Sequence, residues 1–258
     1  MIICSWNINS VRIRIPLIEK LIKKIKPDII KLQEIKCLNE EFPDFYKNYN
    51  YKLVCNGEKG KYGVAILIRE NINFKILEFN SDILKSQARI CGIKIEESNL
   101  YLINVYTPNG NPITDEKKFN FKKEWLKQLL FFSEKYISNY RKIIVSGDFN
   151  VIENKDDVKN FENWQNDALG HILIRKQFRK FLSSGFVNLV RLFYPPGSNY
   201  SFWDYQRSSW ERNDGLLIDH FLASPLILQN VRSFNFETNF RNLKKPSDHI
   251  PIWIELEN

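Results

Sequence analysis

The stretch Ile143-Ile144-Val145-Ser146-Gly147-Asp148-Phe149-Asn150 decides how this chain folds. Its apolar start, Ile143–Val145, predicts a buried β-strand, and Gly147 permits a tight exit from that strand. Because side chains alternate along an extended backbone, Asp148 and Asn150 point to one side and Phe149 to the other. A carboxylate at a buried strand end is costly unless it is paired, hydrogen-bonded or bound to a cation. The stretch therefore predicts a sheet whose strand ends carry a polar site.

Polar residues follow apolar runs in the same way elsewhere along the sequence. Asn7 and Asn9 follow Ile2–Trp6, Gln33-Glu34 follows Ile29–Leu32, Tyr106 and then Asn109 follow Leu100–Val105, Asp219-His220 follows Leu216–Ile218, and Ser247-Asp248-His249 precedes the last apolar run. Clusters of Asp, Glu and Asn oxygens suit hard cations such as Mg²⁺ or Mn²⁺. The residue spacings typical of zinc sites are absent from the sequence. We therefore expect a Mg²⁺ site, in which Mn²⁺ can substitute.

Short apolar runs and a few amphipathic segments describe the rest of the fold. The predicted strands are Ile2–Trp6, Ile29–Leu32, Tyr51–Cys55, Val64–Ile68, Ala88–Ile95, Leu100–Val105, Ile143–Val145, Leu216–Leu222 and Ile252–Leu256. The predicted helices are Ile13–Ile25, Phe119–Ile137 and Ile172–Ser183. Strands and helices do not alternate strictly, so a doubly wound sheet is not favoured. We expect an α/β fold of two mixed sheets packed face to face with helices outside, forming one domain over residues 1–258.

Composition and charge narrow the class of protein. With 43% hydrophobic residues the chain can bury a sizeable core, and its formal net charge of +8 suits a polyanionic partner such as nucleic acid. The same charge also follows from the Lys, Ile and Asn bias of an AT-rich genome. The four cysteines show no paired spacing, and no apolar stretch approaches the ~20 residues that span a bilayer. We expect a cytoplasmic monomer that has no secretion signal and no membrane association.

Eight motifs, taken together and in order, resemble the exonuclease III family. They are Trp6-Asn7-Ile8-Asn9-Ser10-Val11-Arg12, Leu32-Gln33-Glu34, Tyr62-Gly63-Val64, Tyr106-Thr107-Pro108-Asn109-Gly110, Gly147-Asp148-Phe149-Asn150, Phe202-Trp203-Asp204-Tyr205, Ile218-Asp219-His220 and Ser247-Asp248-His249. This family contains the bacterial apurinic/apyrimidinic endonucleases of the endonuclease/exonuclease/phosphatase superfamily. The resemblance implies a four-layered α/β sandwich. It also implies Mg²⁺- or Mn²⁺-dependent hydrolysis of double-stranded DNA on the 5′ side of abasic sites, with trimming of blocked 3′ ends.

The resemblance also implies roles for individual residues. Glu34 would be the principal metal ligand, with Asn7 and Asp248 nearby and with Asp148, Asn150 and His249 as further candidates. Phosphoryl transfer needs groups that neutralise charge on the phosphate oxygens, and Asn150 and a charged His249 can donate to them. Asp219 would hold the His249 ring and favour its charged form. Either Asp148 or Tyr106 would take the proton of the attacking water, and the sequence leaves this choice open.

The resemblance further implies contacts with the substrate. Arg12, Tyr62 and Asn109 correspond to phosphate-backbone contacts, although Arg12 equally fits a solvated charge at a helix start. Phe202 and Leu216 correspond to an apolar pocket for a flipped-out abasic sugar, although ordinary core packing explains them too. The loop within Trp164–Arg175, which matches a DNA-contacting segment, diverges from the family pattern. Asn9 stands where animal relatives have an acid, and this weakens any second metal site.

Two other functions stay open from the sequence. A less specific nuclease, or a phosphatase acting on lipid or inositol phosphates, would keep the same chemistry on another substrate. A catalytically inert DNA-binding module would keep only the fold. The Phe202-Trp203 motif argues against the first alternative, and the complete set of polar site residues argues against the second. Of the remaining histidines, His220 follows Asp219 on the opposite strand face and is expected to be structural, and His171 is expected at the surface.

Overall fold

The architecture was obtained as a computed structural model, which describes residues 1–257. The strands in chain order are β1 (Ile2–Asn7), β2 (Ile29–Gln33), β3 (Tyr51–Asn56), β4 (Val64–Arg69), β5 (Phe74–Ile76), β6 (Ile90–Ile95), β7 (Leu100–Tyr106), β8 (Lys142–Asp148), β9 (Val187–Asn188), β10 (Asp219–Ala223), β11 (Val231–Phe236) and β12 (Ile252–Leu256). The helices are α1 (Val11–Ile25), α2 (Asp82–Lys85), α3 (Glu116–Ser138) and α4 (Ile172–Ser183). None of the helices within residues 1–257 is long and apolar enough to cross a membrane.

The strands form two six-stranded mixed sheets. The order in the first sheet is β11-β12-β1-β2-β4-β3, and the order in the second is β5-β6-β7-β8-β10-β9. Each sheet contains one parallel pair, β1 with β2 and β7 with β8, and the other pairs are antiparallel. The prediction of two mixed sheets in an α/β sandwich is therefore confirmed.

Alternation along the strands divides the apolar side chains among the layers. Ile3 of β1 and Ile144 of β8 belong to the core between the sheets. Cys4, the next residue of β1, packs instead among the apolar residues of α1, and Val145 of β8 packs with those of α3 and α4. Because each sheet is covered by helices on its outer face, the order of layers is helix, sheet, sheet, helix. The arrangement places the carboxyl ends of β1, β2, β7 and β8 at one edge of the sandwich.

Three strands were not predicted, and their weak sequence patterns explain why. The strands β5 and β9 have only three and two residues, too few to show a period. The edge strand β11 carries a register irregularity between Val231 and Ser233, which breaks the alternation of apolar residues. The predicted strand Leu216–Leu222 was placed too early, because the ladder of β10 begins at Asp219 and Leu216 makes only isolated bridges.

Candidate active site

Asp148 lies at the carboxyl end of β8, between the two sheets, with 1% of its surface exposed. Its Oδ1 accepts a hydrogen bond of 2.8 Å from the backbone N–H of Asn150, and its Oδ2 accepts one of 3.0 Å from Asn7 Nδ2. Burial raises the pKa of Asp148 to about 7, against the opposing charge of His249. A buried carboxylate with a raised pKa and fixed orientation is suited to accepting a proton.

Gly147 makes this placement possible because β7 passes very close to it. A Cβ atom at Gly147 would lie 2.0 Å from the carbonyl oxygen of Val105, and its φ of +145° is one that other residues rarely adopt. Phe149 turns away from the site and packs edge-on against Phe178 at 5.5 Å. Asp148 and Asn150 therefore share one side, as the sequence predicts.

His249 lies between two carboxylates, those of Asp219 and Asp148. Its Nδ1 donates to Asp219 Oδ2 at 2.7 Å, and its Nε2 lies 3.7 Å from Asp148 Oδ2. Ser201 Oγ also donates to Asp219 Oδ2, at 2.6 Å, and so fixes that carboxylate. Burial lowers the pKa of His249, but the charges of Asp219 and Asp148 outweigh it and raise the pKa to about 10. The ring is therefore an imidazolium at neutral pH and points a donor toward Asp148.

Glu34 and Asn7 meet at the ends of β2 and β1. Asn7 Nδ2 donates to Glu34 Oε1 at 2.9 Å, and the Lys36 ammonium lies 2.8 Å from Glu34 Oε2. Burial acts to raise the pKa of Glu34, but the hydrogen bonds from Asn7 and Lys36 lower it more. Asp248 reaches the same group indirectly, because Asn9 donates to Asp248 Oδ1 at 3.1 Å and accepts from Lys36 at 2.6 Å.

A metal ion has two candidate positions among these groups. Atoms of Asp148, Asp219 and His249 lie within 4.8 Å of one another, which is close enough for one ion. However, Asp219 and His249 already satisfy each other, and an imidazolium repels a cation. The position near Glu34 fits better, because ionised carboxylate and amide oxygens are hard donors and a protein cation, Lys36, already rests against them.

Tyr106 and Tyr62 form an aromatic wall beside this group, with ring centroids 6.4 Å apart. The guanidinium of Arg89 lies 3.8 Å from the Tyr62 ring and 4.6 Å from the Tyr106 ring, and it donates to the Tyr106 carbonyl at 3.2 Å. Burial and the charges of Glu34 and Asp148 raise the pKa of Tyr106 well above its ordinary value. The phenol therefore remains protonated at neutral pH and acts as a donor.

Asn150 and Asn109 lie together on the other side of Asp148. Asn150 Nδ2 donates to the Thr107 carbonyl at 2.9 Å, and Asn109 Nδ2 lies 3.4 Å from Asn150 Oδ1. Asn150 adopts a φ of +49°, a conformation that asparagine tolerates better than most residues. The two amides consequently present one polar surface next to the carboxylate.

A cavity of about 930 Å³ is lined by residues between 159 and 167 and between 202 and 216. Its lining includes Phe202, whose ring centroid lies 4.9 Å from that of His249, and the largely buried Leu216. Its charged lining comprises three cations and three acids: Lys159, Arg207 and Arg212, with Asp167, Asp204 and Asp214. Leu216 additionally packs in a small apolar cluster, and its part in core packing is therefore real as well.

The comparisons with known proteins agree with this geometry. A model described as the Endonuclease/Exonuclease/phosphatase family matches residues 4–249. The chain belongs to that family. The exodeoxyribonuclease III of Haemophilus influenzae is 31% identical to it over 98% of each chain. The resemblance to exonuclease III-type nucleases, which are hydrolases, is therefore confirmed.

Solved structures show the same family fold over the whole length. An AP endonuclease from Archaeoglobus fulgidus has a TM-score of 0.93 and 30% identity, with 100% of both chains covered. A 3′ phosphatase from Neisseria, solved bound to a product DNA hairpin, has a TM-score of 0.89 and 30% identity with the same coverage.

The structure brings together most residues that the sequence nominates for the family site. Asn7, Glu34, Tyr106, Asp148, Asn150, Asp219, Asp248 and His249 form the group described above, with Tyr62, Asn109, Phe202 and Leu216 at its border. Arg12 lies further out. Its side chain is 53% exposed, and Arg12 Nη2 donates to the Lys36 carbonyl at 3.2 Å. A solvated charge and a contact with substrate both remain compatible with that position.

The other two histidines lie outside this group. His220 is fully buried and bonded to protein groups, Asn188 Nδ2 at Nδ1 and the Val151 carbonyl at Nε2, in agreement with a structural role. His171 caps α4, with its Nδ1 accepting from the backbone N–H of Leu173 at 3.2 Å. His171 was expected at the surface, but it is partly buried.

Four residues of the site escaped the sequence analysis. They are Lys36, Arg89, Lys122 and Ser201. The sequence does mark Lys122 as unusual, because this lysine occupies a position on the apolar face of α3, between Phe119 and Trp125. Lys36 follows Glu34 by two residues, but a lysine in a loop is ordinarily solvated. Ser201 and Arg89 carry no distinguishing pattern.

Proposed function

We propose that this protein is a Mg²⁺-dependent DNA-repair phosphodiesterase that cleaves double-stranded DNA on the 5′ side of abasic sites. We extend the proposal to 3′ ends, where the same site would remove a blocking phosphate or a terminal nucleotide. Mn²⁺ would replace Mg²⁺, since the oxygen donors near Glu34 accept both ions. The basic net charge of +8 supports a DNA partner.

The position of Phe202 carries this proposal. Its ring lines the cavity and also lies 4.9 Å from the ring of His249, so Phe202 links the cavity to the charged imidazole. An abasic nucleotide leaves the helix at low cost because no base must be unstacked. Its sugar would rest against Phe202 and Leu216 while the 5′ phosphate reaches His249 and Asn150. This arrangement explains why an apolar wall adjoins a phosphate-binding group.

Asp148 would act on the water that attacks phosphorus. Its carboxylate is held at both oxygens, by Asn7 and by the backbone of Asn150, and it can orient the water and accept its proton. Tyr106 has a pKa raised well above the ordinary value by burial and by the nearby charges of Glu34 and Asp148, so its protonated phenol favours donation over proton acceptance. The bond from phosphorus to O3′ breaks, leaving a 3′-hydroxyl and a 5′-phosphate on the abasic sugar.

His249 and Asn150 would stabilise the charge that develops on the phosphate. The imidazolium Nε2 donates to one non-bridging oxygen, and Asp219 keeps the ring charged and oriented. The Asn150 amide has a second hydrogen beyond the one bonded to Thr107, and it can donate that hydrogen to the phosphate. A metal ion held by Glu34, Asn7 and Asp248 would add Lewis-acid stabilisation of the same oxygens.

The test uses a duplex oligonucleotide that contains one tetrahydrofuran abasic analogue. The protein is incubated with Mg²⁺ or with EDTA, beside an undamaged duplex, a duplex with a 3′-phosphate, an RNA and a phosphoinositide. We expect an incision 5′ to the analogue and release of the 3′-phosphate, both only with Mg²⁺. Hydrolysis of the phosphoinositide without incision of the duplex would overturn the repair assignment. Binding of the duplex without metal-dependent cleavage would favour an inert DNA-binding module.

A further inference from the structure

Three loops form the wall of the site that contains Asn109 and Asn150. They comprise residues 107–112 after β7, residues 149–153 after β8, and residues 167–171 before α4. Asn111 Nδ2 donates to both carboxylate oxygens of Asp167 at 3.0 Å, and the backbone N–H of Ile152 donates to the Leu169 carbonyl at 2.9 Å. Residues 167–171 are therefore hydrogen-bonded to both of the other loops.

Beneath these loops lies Lys122 of α3, whose side chain is fully buried. Its Nζ donates to the carbonyl of Asn109 at 2.9 Å, of Asn150 at 2.6 Å and of Ala168 at 3.1 Å. Each of the three loops contributes one of these carbonyls. One ammonium group thus joins all three loops from below.

The chemistry of Lys122 matches this position closely. An ammonium has three N–H donors, and three carbonyl oxygens satisfy them. Burial lowers the pKa of Lys122 to about 7, while the charges of Asp167 and Asp148 act in the opposite direction. A buried cation without such acceptors would be strongly unfavourable, so the carbonyls must stay in place around it.

The aliphatic part of the Lys122 side chain packs closely against the backbone of Gly110. A Cβ atom at Gly110 would lie 2.6 Å from Lys122 Cδ, and Gly110 adopts a φ of +83°. The loop backbone can rest directly on the lysine stem because glycine has no side chain. Asn109, the residue before Gly110, consequently has little freedom to move away from Asn150.

We propose that Lys122 is a positioning residue that sets the phosphate-contacting Asn109 and the charge-stabilising Asn150 in register through their backbone carbonyls. This inference rests on the proposed function, since it concerns how the same site holds DNA. The residue itself does not touch the reacting atoms. Its removal should therefore affect binding through Asn109 and turnover through Asn150, two effects that a general loss of stability would not separate.

The kinetic test compares Lys122→Met with Lys127→Met, which removes an exposed lysine from the same helix. We expect Lys122→Met to raise KM about 10-fold and lower kcat about 100-fold, because small misplacements of catalytic groups have effects of that order. Lys127→Met, which loses only an exposed pair with Glu124, should match the wild type. Assays are made below the unfolding temperature of each variant. Unchanged kcat and KM for Lys122→Met would overturn the proposal.

Double-mutant cycles test whether Lys122 acts through the two asparagines. Lys122→Met should add little to the KM defect of Asn109→Ala and little to the kcat defect of Asn150→Ala. Fully additive effects would show an independent role and would overturn the proposal. If Lys122→Met does not fold, Lys122→Gln, which keeps amide donors on a shorter stem, should show the same pattern with smaller changes.

Backbone amide exchange gives a readout that needs neither substrate nor metal. In Lys122→Met, exchange should accelerate together in residues 107–112, 149–153 and 167–171, with little change in Lys127→Met. Faster exchange in only one loop, or evenly over the whole chain, would contradict the proposal. Because this experiment uses the free protein, the positioning of the loops can stand or fall separately from the cleavage of abasic DNA.

Discussion

Two buried histidines, His220 in β10 and His249 in the segment before β12, differ in their charge. His249 pairs through Nδ1 with the carboxylate of Asp219 at 2.7 Å, and the pKa of its ring rises to about 10 because the surrounding acids outweigh burial. His220 pairs through Nδ1 with the amide of Asn188 at 3.1 Å, and burial lowers its pKa. The charges of the groups that surround a buried imidazole thus decide whether it is a cation.

The surroundings of the two histidines extend this contrast. Behind His220, Asn188 and Arg191 bind the carboxylate of Glu153 at 2.8 and 2.9 Å, and Arg191 also pairs with Asp157. These acids are neutralised by a protein cation, Arg191. The acids around His249, Asp148 and Asp219, are instead balanced by the imidazole itself. Similar residue types therefore build a closed structural network in one place and a reactive group in the other.

The largest expected effect follows from removing the carboxylate that faces His249. Asp148→Asn should lower turnover by a factor on the order of 10⁴, the upper range for loss of a general base, without weakening DNA binding. Asp157→Asn, in the closed network, is the matched control and should reduce stability while leaving kcat of the folded protein near wild type. Single-turnover cleavage and DNA affinity measured together check this. Near-wild-type turnover would remove Asp148 from the mechanism.

Asp219→Asn gives His249 an amide partner like that of His220. We expect turnover to fall by a factor on the order of 10³, because the ring loses the charge that keeps it protonated and the acceptor that orients it. An NMR titration of His249 should show its pKa shifted downward. The reverse change, Asn188→Asp, should raise the pKa of His220. A His249 pKa that does not move in Asp219→Asn would break the comparison.

Arg191→Met tests the closed network directly. Loss of the guanidinium leaves Glu153 and Asp157 without their cation, and we expect the free energy of unfolding to fall by about 3 kcal/mol. Chemical denaturation measures the change, with Arg232→Met, an exposed arginine, as control. Because the network lies apart from the reacting group, kcat should stay unchanged. A large loss of kcat with intact stability would show that the network belongs to the site.

The pH dependence of stability has opposite signs for the two histidines. The pKa of His220 in the folded protein lies below the ordinary value of 6.5. Its contribution to stability is therefore complete above pH 6.5 and is lost as the pH falls from 6.5 toward the folded pKa. The folded pKa of His249 is raised to about 10, so its contribution is complete below 6.5 and is lost as pH rises toward 10. Unfolding curves in EDTA between pH 5 and 10 should show each slope as the difference between wild type and a glutamine variant of that histidine, because Asp148 and Lys122 also titrate in this range and contribute to both proteins of each pair. His220→Gln should remove only the acidic one.

The sequence alone predicted the sheets and most of the site because both depend on local patterns. Nine apolar runs were long enough to show strand periodicity, and the residues that follow them, such as Asn7 and Asp148, necessarily meet at one edge once the strands lie side by side. The short strand β9 and the displaced start of β10 were missed, because pairing with a neighbour, rather than local sequence, defines them.

What the sequence concealed is the support of the site. Lys122 and Arg89 lie within ordinary helix and strand-end segments, and only the folded chain shows that three carbonyls surround one and two tyrosine rings flank the other. Such roles depend on residues far apart in sequence. A charged residue on an apolar helix face, as at Lys122, is the one local sign of them.

The pairing of β1 with β12 has a consequence for the timing of protein synthesis. Asn7 is made long before His249, yet the Trp6 indole donates to the His249 carbonyl at 3.0 Å and Ser247 Oγ donates to the Asn7 carbonyl at 2.7 Å. A growing chain on the ribosome has Asn7, Glu34 and Asp148 long before it has an imidazolium to place beside them. Each molecule therefore gains this imidazolium only after residue 249 has been made, and a product interrupted before that residue is left without it.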